Sequence, residues 1–181
     1  MRRGFTLLET MVAMVLLGIA LIALAVAFAS SGKYGILARR QATAVTLART
    51  LAAQLSHSDY TNANLTNTNP ANDTTFTDPA GLFAKTALPT GANAPDASLG
   101  SFTIGLAPWV AGSKAERYDA YVNIAPQMDP TNATLVMGVL IAVIVRYRVG
   151  TAGSSEAVFM RAVALGYHYN PAAVGVGTLP L

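Results

Sequence analysis

Residues 2–29 read RRGFTLLETMVAMVLLGIALIALAVAFA, and this stretch decides how the chain folds. Two arginines precede a long apolar run that contains a single acid, Glu9. From Phe5 to Ala29 the run has 25 residues. As a helix it would measure about 37 Å, more than the ~30 Å hydrocarbon core of a bilayer. The sequence therefore predicts an N-terminal helix long enough to cross a membrane.

Glu9 is the unusual residue of this run. A carboxylate surrounded by hydrocarbon costs roughly 2.5–3.5 kcal/mol on scales of membrane insertion, so such an acid usually has a partner. One interpretation is a simple single-pass anchor whose acid lies near the membrane surface. The other is an acid with a defined partner, and therefore with a function.

A cleavable secretory signal is a further interpretation of the same stretch, and it fits the pattern poorly. Such a signal has about 7–15 apolar residues followed by a small-residue cleavage site. The run here is longer, and Ala27-Phe28-Ala29 is only a weak cleavage signal. Charge does not give the orientation of the span, because basic residues flank both of its ends.

The segment Gly4-Phe5-Thr6-Leu7-Leu8-Glu9, with a basic start before it and the apolar run after it, resembles the processing motif of type IV prepilins and type II secretion pseudopilins. The resemblance implies that residues 1–4 are a leader, which a dedicated membrane peptidase removes by cleavage between Gly4 and Phe5. It further implies N-methylation of Phe5 and a role in filament assembly for Glu9, the fifth residue of the mature chain. It places the leader in the cytoplasm and the C-terminal domain outside.

The same resemblance implies a structural subunit of a type IV pilus. The segment Thr6-Leu7-Leu8-Glu9 and the absence of proline from the helix are closer to minor pilins, which act in pilus initiation or near the tip. A type II secretion pseudopilin and a minor subunit of a DNA-uptake (competence) pilus are the alternatives. The implied partners are other major and minor pilins, the prepilin peptidase, the inner-membrane assembly platform and, before assembly, membrane lipid. The implied location is the inner membrane and then the pilus at the cell surface.

The distribution of charge argues against a nucleic-acid partner. The chain has a net charge of +3, but its basic excess lies in the first 50 residues. From Ser58 to Leu181 six bases oppose eight acids, a net charge of −2. Binding to nucleic acid depends on clustered cationic contacts to phosphates, so none is expected here. The chain has no cysteine, which excludes disulfides and thiolate-metal sites.

Residues 5–29 form the predicted span, and residues 30–57 are predicted to continue it as an amphipathic helix. The stretch Ser30–Gly35 is locally weak, because each of its two glycines costs about 1 kcal/mol relative to alanine. Apolar residues then return at spacings of three, four or seven, so the helix is expected to run from about Phe5 to about His57. One face should pack on a sheet. The apolar positions are Leu37, Ala44, Leu47, Ala48, Leu51 and Leu55, and the opposite ones are Arg39, Thr43, Thr46, Thr50 and Gln54.

The rest of the chain divides into a variable loop region, residues 58–100, and a sheet domain with a C-terminal tail, residues 101–181. Turn-forming residues dominate the first part. Alternating or apolar segments in the second part predict strands at 101–106, 118–124, 134–149 and 156–169, with Gly150–Ser154 as the last hairpin loop.

These elements predict an α+β fold, in which one long N-terminal helix packs on a C-terminal antiparallel sheet. The third strand is apolar on both faces, which predicts a central strand covered on both sides. Because the helix covers one face only, the loop region, the tail from Pro171 or a different subunit should cover the other.

No catalytic chemistry is predicted. His57 and His168 are the only histidines, and without cysteine a zinc site would need both of them plus carboxylates. Ser56, His57 and Asp59 lie on one short segment, but a catalytic triad is defined by geometry and not by closeness in sequence. The sequence therefore predicts no enzyme, no catalytic residue, no cofactor and no metal.

The loops contain weaker candidates for binding or modification. Asp73, Asp78 and Asp129 have the chemistry of calcium ligands, but no calcium-loop spacing supports them, and solvated turn formers are the simpler interpretation. Asn64-Leu65-Thr66 and Asn72-Asp73-Thr74 match glycosylation sequons, as expected in a segment so rich in Asn and Thr.

Overall fold

The computed structural model describes residues 7–73, 77–78, 81–85, 87–105, 115–149 and 158–175. Within these residues one long helix packs on a four-stranded antiparallel sheet, which confirms the predicted α+β fold. The long elements are α1 (Leu7–Ser56), β1 (Ala97–Ile104), β2 (Glu116–Met128), β3 (Val136–Val149) and β4 (Val158–Tyr169). Short 3₁₀ helices lie at Ala63–Leu65, Pro70–Asn72, Leu82–Ala84, Gly91–Asn93 and Pro171–Gly175.

The chain forms two compact units, Met1–Arg39 and Arg40–Leu181. The described part of the first unit is helical throughout, and α1 continues without a break through Ser30–Gly35. Since α1 contains no proline, every residue past its first turn can donate its backbone N–H within the helix. The second unit, hereafter the head, contains the rest of α1 and the whole sheet.

The sheet has the order β1-β2-β3-β4, and each pair of neighbours is antiparallel. The third strand is therefore an inner strand, as its apolar sequence predicts. The first strand was predicted from residue 101, but it begins at Ala97. A bulge between Ser98 and Gly100, with Gly100 at φ 97°, shifts the alternation of side chains there. The residues of β1 before residue 101 therefore lack the two-residue hydrophobic period by which a strand is predicted. The predicted hairpin loop Gly150–Ser154 lies outside the described residues.

One face of the sheet, hereafter the helix face, carries the main core of the head. Side chains alternate along each strand, so every second residue of β2, β3 and β4 points toward α1. The centre of this face is fully buried. Its members include Tyr118, Ala120, Val122 and Ile124 from β2, Ile141, Val143, Val145 and Tyr147 from β3, and Ala162 and Ala164 from β4.

The opposite face, hereafter the outer face, is covered at its centre by the connection between α1 and β1. Phe83 in this connection is 2% exposed, and its ring lies 5.5 Å from that of Tyr121 on β2. Asn123 and Ile144 on the same face are also buried. The sequence left open whether the loop region, the tail or another subunit covers this face. The loop region covers its centre, and the tail from residue 176 lies outside the described residues.

Asp96 fastens this connection to the sheet. One carboxylate oxygen accepts the backbone N–H groups of Thr68 and Asn69, each at 2.7 Å. The other accepts the N–H of Ile124 at 2.7 Å. A carboxylate that collects several backbone donors stabilises a loop whose N–H groups would otherwise lack partners. The connection is thereby held as an ordered part of the head.

Candidate functional site on the N-terminal helix

Glu9 lies in the first turn of α1 and is exposed. The N-terminus of a helix carries a partial positive charge, which favours a carboxylate in its first turn. Beside it the hydroxyl of Thr10 donates a hydrogen bond to the carbonyl of Leu7 at 2.8 Å. The predicted processing residues Gly4 and Phe5 lie outside the described residues. The structure therefore places the acid on the helix but gives no geometry for the cleavage site.

The apolar half of α1 presents its side chains to the surroundings. Leu7, Met14 and Phe28 are 79%, 74% and 69% exposed. Within the described residues α1 is the one helix long and apolar enough to cross a membrane, with a mean hydropathy of 2.9 over its most apolar 18 residues and none of that window buried. An apolar surface of this extent is not stable in water, so it requires lipid or other helices around it.

Comparison with protein families gives this helix a context. Residues 1–25 match the prokaryotic N-terminal methylation motif. The N-terminal segment is pilin-like. The matched residues include Glu9 and the start of the apolar run, and the motif is shared by pilins and pseudopilins. The comparison with curated proteins finds no match, and neither does the comparison with solved structures.

Beyond the matched segment, small residues allow the second half of α1 to pack on the sheet. Ala44, Ala48 and Ala52 are between 0% and 3% exposed, and Leu55 closes the same stripe. Alanines at this spacing let the helix axis come close to the strands. The sequence pattern found three of these four positions and missed Ala52, since the next residue is also an alanine and composition does not tell the buried Ala52 from the exposed Ala53.

Gly166 on β4 is the counterpart of that stripe. A methyl group at this position would lie 2.5 Å from the hydroxyl oxygen of Ser56 and 3.2 Å from the carbonyl oxygen of Ala52. Any larger residue would therefore push α1 away from the strand. Nothing in the alternation of β4 predicts this requirement, because it depends on where α1 crosses the strand.

Polar bonds fasten both ends of this helical segment. At the start, Arg40 Nε forms an ion pair with Glu116 Oε1 at 2.5 Å, and the hydroxyl of Tyr118 donates to the other oxygen of Glu116 at 3.1 Å. At the end, Nε2 of His168 lies 2.7 Å from the carbonyl oxygen of Ser58. These bonds satisfy polar groups that packing on the sheet removes from water.

Tyr118 is held as the neutral phenol by its surroundings. Burial and the neighbouring charge of Glu116 raise the pKa of Tyr118 to about 12. Thr43 also bonds to this hydroxyl. Thr43 was predicted to face away from the sheet, but it is half-buried, because it lies at the border of the apolar stripe.

The candidates for metal or catalytic chemistry have structural roles. Nδ1 of His57 lies 2.8 Å from the carbonyl oxygen of Ala53, and His168 is bonded to Ser58 as described. Among the residues that the structure describes, no group of three or more His, Asp or Glu side chains could hold a metal ion. The motif at residues 1–25 is typical of structural proteins.

The three loop aspartates differ from one another. Asp129 accepts bonds from the N–H and hydroxyl of Thr131, each at 2.6 Å, as a turn former does. Asp73 accepts a bond from Asn67. The interpretation of Asp78 as a solvated turn former is wrong, because its side chain is 1% exposed and forms an ion pair with Arg161. Of the two sequons, that of Asn72 has its asparagine buried.

Proposed function

We propose that this chain is a minor pilin of a type IV pilus and acts in initiation of the fibre or near its tip. The observation that carries the proposal is the continuity of α1, which joins the motif-bearing apolar half to the half seated on the sheet in one helix, Leu7–Ser56. A subunit of this kind anchors by its apolar half and exchanges lipid for neighbouring helices when it assembles.

Processing is the first step of this proposal. Residues 1–4 are a leader in the cytoplasm, and the peptidase cuts between Gly4 and Phe5, which leaves 177 of the 181 residues. The cut removes the charges of Arg2 and Arg3 from the end of the apolar helix. This end then leaves the membrane surface at a lower cost in desolvation. Phe5, the new N-terminal residue, is methylated.

The cut also supplies a partner for Glu9. It creates a positive amine on Phe5, four residues before the acid and in the same apolar surroundings. This amine is within reach of Glu9 in its own helix or in a neighbouring subunit. Opposite charges in hydrocarbon attract strongly, but desolvation offsets much of that attraction. The pair therefore mainly fixes the position of the helix along its neighbours, because a helix that docks shifted along its axis leaves both charges unpaired.

Location and partners follow from the same steps. Before assembly the chain is a single-pass protein of the inner membrane, with its C-terminal domain outside the cytoplasm and lipid around residues 5–29. Its partners are the prepilin peptidase, the assembly platform of the inner membrane and other major and minor pilins. After assembly it is part of the filament at the cell surface.

The test is mass spectrometry of purified surface filaments, with quantification of each subunit. We expect a peptide that starts at methylated Phe5, in amounts well below those of the major subunit. Recovery of intact Met1 from filaments would contradict the processing step. Absence from surface filaments, together with loss of protein secretion in a deletion strain, would instead identify a pseudopilin of a type II secretion system, which shares the motif.

A further inference from the structure

Four arginines lie on the outer face of the sheet. Arg117 on β2 directly follows Glu116, which forms the ion pair with Arg40 of α1. The four arginines, hereafter the cluster, therefore lie at the end of the sheet that is next to Arg40. Arg146 and Arg148 lie on β3, and Arg161 lies on β4. Each is adjacent along its strand to a residue of the helix-face core, so all four point to the other side.

Among the residues that the structure describes, Asp119 and Asp78 are the carboxylates beside these arginines, and both have partners. Asp119 accepts the hydroxyl of Ser101 at 2.6 Å and Nε of Arg117 at 2.8 Å. Asp78 forms its ion pair with Arg161 at 2.6 Å. The six charged groups therefore sum to +2, while the rest of residues 58–181 carries −4.

The register brings like charges together. Arg146 lies directly opposite Arg161. Tyr118 lies opposite Tyr147, and continuing that register by one residue places Arg117 opposite Arg148. Like charges in directly opposite positions destabilise a sheet. The two pairs therefore concentrate positive charge at this end of the head, and Asp119 beside Arg117 and Asp78 beside Arg161 offset part of it.

Arg146 shows how closely this cluster is packed. Its side chain is almost completely buried, and its guanidinium carbon lies 3.8 Å from the centroid of the Phe159 ring. Burial lowers the pKa of Arg146, although the nearby Tyr121 and Asp119 act in the opposite direction. Arg117 and Arg148, in contrast, are exposed. These two are the members of the cluster that a partner can reach.

The geometry favours a small acidic partner over nucleic acid. Directly opposite residues of antiparallel strands have Cα atoms about 4.5–5.5 Å apart, so two guanidinium groups can reach one ligand. Arginine binds carboxylates through paired hydrogen bonds. Nucleic acid needs more phosphate contacts than two exposed arginines supply, and it uses free aromatic faces. Among the described residues beside the cluster, the rings of Phe159 and Tyr121 are already in contact with Arg146 and Phe83.

We propose that Arg117 and Arg148 form a docking site for an acidic protein segment that presents two or more carboxylates. Binding of such a segment offsets the repulsion between the arginines. The concentration of positive charge at this end of the head is then the consequence of a surface kept for a partner. The proposal concerns the head alone and does not depend on the proposed function.

The first test measures stability. In the full-length chain in a neutral detergent, Arg148→Gln should raise the unfolding temperature by a few degrees at low salt, and high salt should reduce that rise. The matched control is Arg49→Gln, since Arg49 is an exposed arginine of α1 outside the cluster, and it should leave the temperature unchanged. A lower unfolding temperature for Arg148→Gln would mean that the arginine stabilises the free head, which would overturn the proposal.

The second test measures binding of a fluorescent peptide with glutamate at alternate positions. The wild-type chain should bind it at low salt, and the double variant Arg117→Gln/Arg148→Gln should bind at least about tenfold more weakly, because two charge-assisted contacts are lost. Arg49→Gln should bind like the wild type. Equal binding by the double variant would overturn the proposal, and so would tighter binding of a single-stranded oligonucleotide or of anionic phospholipid vesicles at matched charge.

Discussion

Arg161 of β4 and Asp78 of the connection before β1 are 83 residues apart in sequence and form an ion pair, with Nε 2.6 Å from Oδ2. Nη2 of the same arginine donates to the backbone carbonyl of Asp78 at 2.7 Å. The other carboxylate oxygen accepts the N–H of Leu82 at 2.6 Å. This aspartate therefore ties the connection to the outer face and also starts the short helix that carries Phe83.

Asp78→Asn should lower the free energy of unfolding by about 2 kcal/mol, because it removes the charge of a buried carboxylate and leaves the half-buried Arg161 without its countercharge. The control is Asp59→Asn, since Asp59 is exposed just after α1 and its substitution should cost much less. Chemical unfolding of both full-length variants, followed by circular dichroism, gives the comparison. Equal stability of the two variants would mean that packing of Phe83, and not the ion pair, holds the connection.

Gly166→Ala should lower the free energy of unfolding by about 1–3 kcal/mol, because the added methyl group meets Ser56 and the backbone of Ala52. Part of the loss should return when Ser56→Ala removes the hydroxyl, which a double-mutant cycle measures. Gly35→Ala is the control, since no atom lies within 4 Å of the added methyl group and the helix should gain about 1 kcal/mol. If Gly166→Ala left the free energy of unfolding unchanged, α1 would not lie this close to β4.

The head should lose stability in alkali, in part through Tyr118. Burial and the charge of Glu116 raise the pKa of Tyr118 to about 12. A group whose pKa is raised by folding contributes stability that is complete below its unfolded pKa, about 10, and is lost as the pH rises through the folded value. We therefore expect the free energy of unfolding of the wild type to fall between about pH 10 and 12.

The free energy of unfolding of the matched variant Tyr118→Phe should fall less over the same pH range, because this variant lacks the ionisable hydroxyl. At neutral pH it should be less stable by about 1 kcal/mol, since it loses the bond to Glu116. Unfolding measured at a series of pH values gives both quantities. Parallel pH profiles for the two proteins would mean that the other tyrosines account for the alkaline loss.

Glu9→Ala should leave membrane insertion and cleavage after Gly4 intact but reduce incorporation into filaments. The reason is that the amine of Phe5 would then enter an apolar bundle without its carboxylate, at a cost of several kcal/mol. The measurement is the amount of variant in sheared filaments relative to wild type at matched membrane levels. Equal incorporation would refute the role of the pair in register.

The N-terminal part of this chain is determined by local sequence. The apolar run is helical from Leu7 on, as its length and composition predict, and the position of Glu9 within the motif is a matter of spacing alone. The apolar stripe of the second half and the two-sided third strand are local patterns as well, so they correctly predicted a helix on a sheet. The start of β1 was missed because a bulge breaks the period of two on which strand prediction depends.

What only the tertiary structure decided are the contacts between residues far apart in sequence. The burial of Asp78, the close approach of α1 at Gly166 and the row of arginines on the outer face each depend on which strands are neighbours and in what register. A pattern within one segment carries no information on the segment that will face it. The sequence therefore determined the helix and its long apolar half, while the fold of the head decided which polar groups were buried and which charges were brought together.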